Sequence, residues 1–417
     1  MKFVQVNAND LKSRSYGSHD LHLALRARGF DSRQMVVERQ SSDARTELIV
    51  PPVIGGAAYR MAHALEAALS LQSMLYPFSW TLPFRRSFRT ADLVHYHLIH
   101  AQWFSLPSLP WLTRTKPSVW TLHDPWALTG RCVHPMSCDG WLSGCGRCPT
   151  LSNQIPMRRD RSAHMYRRKS EIYARANFDL IVGSPWMAER VRLSPLLSSK
   201  RLHVIPFGVD LNLFRPGARA SAKRALGLPE HAVVLAVRAT SNAHKGFDRL
   251  ERALEIISMG RPPGREIALL AFDEKGRLER LRGRFPIVET GLLLERAAYA
   301  QALRAADIFV APSRNESFGM MALEAMACGA ACVVTEGTAL ETTIQAPRAG
   351  ICVPADEDGQ ALATAIAGLV ADPSARERLG AAGRRIAENE HGMETYLDRI
   401  LAVYRGKIEE RGLERRE

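Results

Sequence analysis

The stretch from residue 308 to residue 329 constrains the fold of this chain most strongly. Three apolar residues, Ile308–Val310, are typical of a buried strand, and a helical pattern runs from Met320 to Gly329 after an intervening loop. In a strand–loop–helix unit, the loop lies at the carboxyl edge of a parallel sheet, where α/β proteins bind their ligands. This stretch therefore predicts an α/β fold with a ligand site in the loop.

Two glutamates bracket this turn. Glu316 lies in the loop and Glu324 on the helix, with seven residues between them. Both carboxylates can accept hydrogen bonds from sugar hydroxyls, and the backbone N–H groups at the helix start favour an anion. In the alternative interpretation, one acid only favours the helix dipole and the other is solvated. The candidate site residues of this stretch are Glu316, Ser317, Phe318, Gly319 and Glu324.

Two cations flank another loop of the same kind. Arg238 follows the strand predicted over residues 232–237, and Lys245 precedes Gly246 and a helical pattern. Such a pair can neutralise a nucleotide diphosphate and stabilise it as a leaving group. Two solvated cations are the alternative interpretation.

A histidine ends a third predicted strand. Residues 118–122 are strand-like and are followed by His123 and Asp124. Imidazole can hydrogen-bond a sugar hydroxyl or stabilise developing charge, whereas a satisfied structural histidine is the alternative. Asp124 is predicted to orient His123 or to bind an acceptor.

Four of the seven cysteines, Cys132, Cys138, Cys145 and Cys148, lie close together in sequence. The last two form a CxxC knuckle, so the four thiolates are predicted to hold one structural zinc ion, with His134 as an alternative ligand. Reduced cysteines and disulfides are the other interpretations of this spacing.

The formal net charge of +13 indicates an anionic partner. We expect the anionic inner-membrane surface and a diphosphate ligand, although an arginine-rich composition is also typical of a GC-rich genome. Aromatic residues interleave with arginines over residues 76–89, after a helix predicted over 59–75. This pattern suits a membrane interface, whereas a packed helix followed by an ordinary surface loop is the more common interpretation. Residues 155–175 are predicted to form one basic helix. A solvated helix face is the favoured interpretation, and binding of anionic lipid or a lipid diphosphate is the alternative.

Residues 312–344 resemble the signature of the retaining family-4 glycosyltransferases, in which a later acid, Glu341, follows the spaced glutamate pair. Residues 205–210 and the pair Arg238 and Lys245 fit the same family. The resemblance implies the GT-B fold, an α/β architecture of two doubly wound Rossmann-like domains that face a cleft. It further implies metal-independent, retaining transfer of a hexose from a UDP- or GDP-sugar, with glucose, galactose, mannose and fucose all open.

The resemblance also assigns roles to single residues. The catalytic residues would be Glu316, His123, Arg238 and Lys245. Glu316 would bind the sugar hydroxyls and stabilise an oxocarbenium-like transition state, and His123 would contact the sugar from the other domain. Glu324 would bind the ribose, with Ser317, Phe318 and Gly319 as further donor-binding residues. The remaining implied contacts are Gly291 near the base, Gly17 in the first loop, and Asp124 and Trp126 on the acceptor side. The cysteine segment is similar to a branch that includes colanic-acid and other exopolysaccharide transferases, which implies a lipid-linked oligosaccharide acceptor.

The expected domains are residues 1–210 with a cysteine-rich insert at 131–149, residues 211–392, and a final helix within 393–417 that ends near Gly406 and packs on the first domain. Because no long apolar run occurs and the first residues are strand-like, we expect a cytoplasmic protein, free or peripheral on the inner membrane face. Two other classes stay open: an inactive nucleotide-sugar-binding relative, and a basic zinc-knuckle nucleic-acid binder. No known nucleic-acid-binding signature is evident, so no nucleic-acid partner is expected.

Overall fold

The computed structural model describes residues 1–11, 17–50, 54–100, 102–152, 155–260 and 266–414. The chain divides into two compact units: Met1–Ile205 together with Tyr396–Glu417, and Pro206–Thr395. Each unit is built on one parallel sheet with helices between the strands. The predicted α/β class, with two Rossmann-like parallel sheets, is therefore confirmed.

The sheet of the first unit has seven strands in the order β3-β2-β1-β4-β5-β6-β7, and every neighbouring pair is parallel. All residues of the central strands β4, β5 and β6 are buried, as expected for a parallel sheet covered on both faces. The strands are β1 (Lys2–Asn9), β2 (Asp31–Glu38), β3 (Thr46–Leu48), β4 (Leu93–Tyr96), β5 (Ser118–Leu122), β6 (Asp179–Val182) and β7 (Leu202–Val204). Its first six helices are α1 (Gly17–Ala27), α2 (Ile54–Leu69), α3 (Arg86–Thr90), α4 (Leu109–Thr115), α5 (Ser162–Arg175) and α6 (Pro185–Leu193).

Two helices of the first unit are shorter than the sequence predicted. Helix α2 ends at Leu69 rather than near residue 75, because the buried carboxylate of Glu66 accepts backbone N–H bonds from residues 73, 74 and 75 at 2.8, 2.5 and 2.7 Å. Helix α5 begins only at Ser162, where Asp160 accepts the backbone N–H of that serine at 2.9 Å. Both carboxylates stabilise turns that hydrophobic periodicity does not show.

The sheet of the second unit has six parallel strands in the order β10-β9-β8-β11-β12-β13. The strands are β8 (Val233–Ala239), β9 (Ile267–Asp273), β10 (Ile287–Gly291), β11 (Ile308–Ala311), β12 (Ala331–Thr335) and β13 (Gly350–Val353). The helices are α7 (Arg219–Ala225), α8 (Phe247–Met259), α9 (Arg296–Arg304), α10 (Met320–Ala327), α11 (Ala339–Thr343), α12 (Gln360–Ala371) and α13 (Pro373–Glu390).

The last helix, α14 (Met393–Glu414), contributes to the core of the first unit from residue 396 onward. Its buried face carries Tyr396, Leu397, Ile400, Leu401 and Tyr404. The predicted end at Gly406 is wrong, because Lys407 pairs with Asp179 at 2.9 Å and continues the contacts of the helix beyond the glycine. Within the described ranges, no helix combines the length and the apolar character that crossing a membrane requires.

Candidate active site

Arg238 lies near the end of strand β8, as the sequence predicted, and it forms an ion pair with Asp273 at the end of β9. Asp273 has a φ of +81°, an uncommon conformation for a residue with a side chain. The next residue, Glu274, accepts hydrogen bonds from Thr240 Oγ1 at 3.1 Å and from the Ser241 backbone N–H at 2.8 Å. Asp273 therefore holds Arg238, and Glu274 holds the loop that follows it. The only sequence signal for this acidic pair is its position at the end of a buried strand.

Lys245 and Glu316, predicted to serve one ligand, lie in direct contact: Lys245 Nζ donates to Glu316 Oε2 at 2.5 Å. Gly246 makes this approach possible. Its φ is +65°, and a Cβ at this position would lie 1.9 Å from the carbonyl oxygen of Pro312. The backbone carbonyl of His244 also accepts the N–H of Arg314 at 2.8 Å, so the two loops are joined on both sides of the glycine.

Arg314 is a positioning residue that the sequence analysis missed. Its guanidinium donates to both carboxylate oxygens of Asp248, each at 2.7 Å, and to the carbonyl of Ala243 at 2.9 Å. The hydrogen bonds to Asp248, followed by those to Glu357, raise the pKa of Arg314. This fork fixes the loop that contains Glu316 against the start of helix α8.

The other predicted donor-binding residues are more enclosed. Glu324 is only 1% exposed on helix α10, and Ser317 is also buried. The ring of Phe318 packs on Phe207, with 4.9 Å between centroids. Gly319 has a φ of +98° and a Cβ there would lie 2.3 Å from Leu340, while Gly291 ends strand β10 with a φ of +71°. Because φ is positive at both positions, the backbone conformation there favours glycine.

In the first unit, His123 directly follows strand β5, and its Nε2 lies 3.2 Å from Nδ1 of His97, which follows strand β4. Burial lowers the pKa of His123 to about 4, although Asp124 opposes the shift. His123 is therefore a neutral hydrogen-bonding group near pH 7. The sequence analysis assigned no functional role to His97, and the only sequence signal for one is its position at a strand end.

Asp124 and Trp126 form a second group beside His123. Asp124 accepts the backbone N–H of Trp126 at 2.9 Å and lies 3.3 Å from Nε2 of His100. The Trp126 ring is fully buried beneath Lys169, whose Nζ lies 3.4 Å from the ring centroid. Burial lowers the pKa of Lys169 to about 7. His100 is thus a further site residue, and the placement of Trp126 is that of a core residue.

The cysteine segment, residues 132–148, follows Asp124 and Trp126 in the chain. The buried guanidinium of Arg131 is 3.9 Å from the sulfur of Cys132 and 3.7 Å from that of Cys148. The sulfur of Cys145 accepts the Gly130 N–H at 3.2 Å, and Cys138 is half-buried. Across the described ranges, no three His, Cys, Asp or Glu side chains form a group that could hold a metal ion. The zinc site therefore stays a prediction.

Gly17, the residue predicted in the first loop, begins helix α1, and the adjoining loop 12–16 lies outside the described residues.

A surface of the first unit combines aromatic rings with arginines, and we call it the aromatic–arginine patch. The rings of Trp80 and Phe84 each lie 6.0 Å from that of Trp111, and the first two are 42% and 76% exposed. A cavity of about 510 Å³ opens beside them. Its lining includes Trp80, Trp111, Arg114, Arg168, Ile172 and Arg175.

Comparison with known proteins identifies the family. Residues 18–213 match the family described as Glycosyltransferase Family 4, and residues 219–386 match Glycosyl transferases group 1. D-inositol 3-phosphate glycosyltransferase of Saccharomonospora viridis is 31% identical over 328 residues, which cover 75% of this chain and 70% of that protein. The chain belongs to the family-4 glycosyltransferases.

Two further relatives match this glycosyltransferase over a smaller share. D-inositol 3-phosphate glycosyltransferase 1 of Catenulispora acidiphila is 35% identical over 230 residues, 50% of this chain and 53% of that protein. The putative colanic acid biosynthesis glycosyl transferase WcaC of Escherichia coli K12 is 26% identical over 276 residues, 63% of this chain and 64% of that protein. The chain thus spans about half to two thirds of the length of these curated relatives.

Solved structures confirm the predicted GT-B fold of this glycosyltransferase. Sucrose-phosphate synthase from Thermosynechococcus elongatus has a TM-score of 0.68 at 20% identity, with 97% of this chain and 98% of that chain covered. Anabaena Alr3699/HepE in complex with UDP and glucose has a TM-score of 0.65 at 14% identity, with 97% and 100% covered.

Proposed function

We propose that this glycosyltransferase moves a hexose from a nucleotide-diphosphate sugar to a lipid-linked saccharide during surface polysaccharide synthesis, with retention of configuration and without a catalytic metal. The contact between Lys245 and Glu316, in the loops that follow β8 and β11, carries the proposal. It joins a cation suited to a diphosphate and a carboxylate suited to sugar hydroxyls at one sheet edge, where α/β proteins bind ligands. The name of the WcaC relative supports the pathway, and the HepE complex supports UDP-glucose as the first donor to test.

The proposed reaction breaks the bond between the sugar C1 and the diphosphate oxygen, and the electron pair leaves on the diphosphate. Arg238 and Lys245 stabilise that negative charge. Glu316 holds the sugar hydroxyls and stabilises the positive charge that develops at C1. The acceptor hydroxyl oxygen bonds to C1 on the face from which the diphosphate departs, so an oxygen of the diphosphate is close enough to take the hydroxyl proton.

The remaining proposed contacts follow the family resemblance. Glu324 binds the ribose and His123 hydrogen-bonds the transferred sugar. Asp124 contacts the acceptor, and His100, 3.3 Å from Asp124, supports it. The donor contacts of Gly17, Gly291, Ser317, Phe318 and Gly319 are proposed on the same ground. Trp126 is fully buried beneath Lys169, so its expected acceptor contact is replaced by a packing role.

A calorimetric binding screen with UDP- and GDP-sugars, beginning with UDP-glucose, tests the donor site. Lys245→Ala should weaken binding by about 10- to 100-fold, since a charge-assisted hydrogen bond to the diphosphate is lost. Arg378→Ala is the matched control, because that arginine is exposed on helix α13. Failure of the wild-type protein to bind any of these sugars contradicts the proposed donor class.

Turnover tests the chemistry separately. Glu316→Gln keeps the size of the side chain and removes its charge, so we expect at least about a 100-fold fall in kcat with donor binding retained. Proton NMR of the product reads its anomeric configuration, and turnover with excess chelator tests the absence of a catalytic metal. An inverted product, or activity lost on chelation, would reject the corresponding part of the proposal.

We further propose that the aromatic–arginine patch binds the anionic membrane surface that carries the acceptor. Exposed Trp80 and Phe84 supply apolar rings for the interface, while Arg114, Arg168 and Arg175 supply positive charge at the adjoining cavity. The protein would then bind its lipid-linked acceptor while it is attached to this membrane surface.

Co-sedimentation with vesicles of phosphatidylglycerol and phosphatidylcholine tests this surface. Phe84→Ser and Arg175→Glu should each reduce binding to the anionic vesicles, whereas Met259→Ser, a change at a 75% exposed methionine of the second unit, should not. Equal binding by all three variants, or equal binding to neutral vesicles, contradicts the assignment.

A further inference from the structure

A buried row of hydrogen bonds leads from His123 into the core of the first unit. His123 Nε2 lies 3.2 Å from His97 Nδ1, and His97 Nε2 lies 2.9 Å from Gln5 Oε1. Gln5 is on strand β1 and is completely buried, and His97 is 2% exposed. His97 therefore bridges a proposed site residue and an amide in the middle of the sheet.

The row continues beyond Gln5 to the last helix. Gln5 Nε2 donates to the hydroxyl of Tyr404 at 3.2 Å, and that hydroxyl oxygen lies 2.7 Å from His95 Nδ1. His95 Nε2 lies 2.6 Å from Thr121 Oγ1. The buried hydrogen bonds therefore join strands β1, β4 and β5 to the last helix.

The amide of Gln5 sets the direction of the hydrogen bonds that run from Gln5 through His97 to His123. Its carbonyl oxygen can only accept, so the proton of neutral His97 must be on Nε2. Nδ1 of His97 is then an acceptor, and the facing nitrogen of His123, Nε2, must be the one that donates. The other ring nitrogen of His123, Nδ1, is consequently unprotonated and of acceptor type.

We propose that His97 and Gln5 are positioning residues that hold His123 in the tautomer protonated on Nε2 and fix the orientation of its ring. The consequence for catalysis rests on the proposed function of His123. In this tautomer His123 accepts from a sugar hydroxyl through Nδ1, and it needs no tautomer change when the substrate binds. Burial, which keeps the pKa of His97 well below its usual range, maintains the neutral form that the row requires.

The tautomer of His123 can be read directly by NMR of the full chain labelled with ¹⁵N-histidine, with the signal assigned from its loss in His123→Asn. We expect a proton on Nε2 in the wild-type protein. His97→Gln retains an amide oxygen able to accept from His123, whereas His97→Leu retains none, so only the leucine variant should lose the single tautomer. Its kcat should fall about tenfold, the value of one hydrogen bond, and the glutamine variant should recover much of that loss.

A second variant changes the direction of the row. Gln5→Glu places a carboxylate beside His97 and favours its doubly protonated form, which donates through both nitrogens. His123 Nε2 would then have to accept, and the proton of His123 would move to Nδ1. This exchange of the ¹⁵N signals is an effect that a purely structural role of Gln5 would not produce.

His203→Gln is the control, because this histidine pairs with Asp179 at 3.0 Å outside the row and should leave both readouts unchanged. A wild-type His123 protonated on Nδ1 overturns the proposal. So does a soluble, folded His97→Leu protein with an unchanged tautomer and kcat. The NMR readout needs no substrate, so a confirmed tautomer without sugar transfer would reject the proposed function and not the hydrogen-bond row.

Discussion

Two buried imidazoles of the first unit link its stability to pH. His95 and His97 have pKa values well below the usual value of 6.5, because burial disfavours their charged forms. In the unfolded chain they bind protons below about pH 6.5, whereas in the folded chain they stay neutral. Their contribution is thus fully present above pH 6.5 and is lost as the pH falls below it, since protons then favour the unfolded state.

We therefore predict that the free energy of unfolding falls between pH 7.5 and pH 5.5. The expected loss is about 1.4 kcal/mol per pH unit below 6.5 for each of the two histidines, and His123, whose pKa burial lowers to about 4, adds a similar contribution. Urea unfolding followed by tryptophan fluorescence measures it. His203→Gln should preserve the pH dependence, and equal stability at the two pH values would contradict the assignment of His95 and His97 as neutral buried groups.

At the residue scale, position and family resemblance together indicate the chemistry of single side chains. Lys245 and Glu316 each stand next to a predicted strand or helix end, the resemblance favours a functional role for both, and the structure brings them to 2.5 Å. Asp273 and Arg314 have the same kind of position and were missed. Their importance comes from partners 35 and 66 residues away, and no local pattern encodes a partner at that distance.

At the element scale, the loop that carries Lys245 depends on Gly246. We predict that Gly246→Ala strongly destabilises the second unit, because the new Cβ would lie 1.9 Å from a backbone oxygen in addition to the strain of φ +65°. The loss should exceed about 3 kcal/mol, and donor binding should weaken in any protein that still folds. Far-UV circular dichroism during thermal unfolding and the calorimetric donor assay measure the two effects.

Gly227→Ala is a matched control for this prediction. Gly227 has a similar φ of +71°, but nothing lies within 4 Å of the position its Cβ would take. This variant should show only the conformational cost of about 1–2 kcal/mol. If both variants unfold at the same temperature, close contact between the two loops is not the reason for the glycine.

The cysteine segment allows a second test at this scale. The sequence spacing of Cys132, Cys138, Cys145 and Cys148 predicts about one structural zinc per chain, although their described positions do not form a metal-holding group. Metal analysis of the purified protein should show the zinc and its loss in a Cys145→Ser, Cys148→Ser double variant. Cys352→Ser, which changes a half-buried cysteine of the second unit, should retain it. A zinc content far below one per chain rejects the site.

At the scale of the whole molecule, the last residues of the chain stabilise the first unit. We predict that Leu397→Ala, a change at a fully buried position of helix α14, lowers the free energy of unfolding of that unit by about 2–5 kcal/mol. All seven tryptophans precede residue 187, so their fluorescence reports on the first unit. Leu397→Ala should shift this fluorescence transition to lower urea.

Arg405→Ala is the control on the same helix, because Arg405 is exposed. Its stability should stay within about 0.5 kcal/mol of the wild type. A fluorescence transition that is unchanged by Leu397→Ala would mean that the helix contributes little to the first unit.

The sequence by itself determined the family and the α/β class, and it indicated candidate residues for the site. Short-range hydrophobic periodicity predicts strands and helices and the loops between them. Arg238 stands at the end of a predicted strand, and Glu316 stands in a loop before a predicted helix. Glycines with a required positive φ, such as Gly319, were likewise visible as breaks in the pattern.

Only the tertiary structure decided which distant side chains meet. Gln5 and Tyr404 are 399 residues apart in the sequence, yet the amide and the hydroxyl are 3.2 Å apart. Strand register places Gln5 beside His95, and residues 396–414 of the last helix bring Tyr404 into the same core. Register and packing follow from burying apolar faces across the whole chain, so a buried polar partner depends on the completed fold and leaves no local signal.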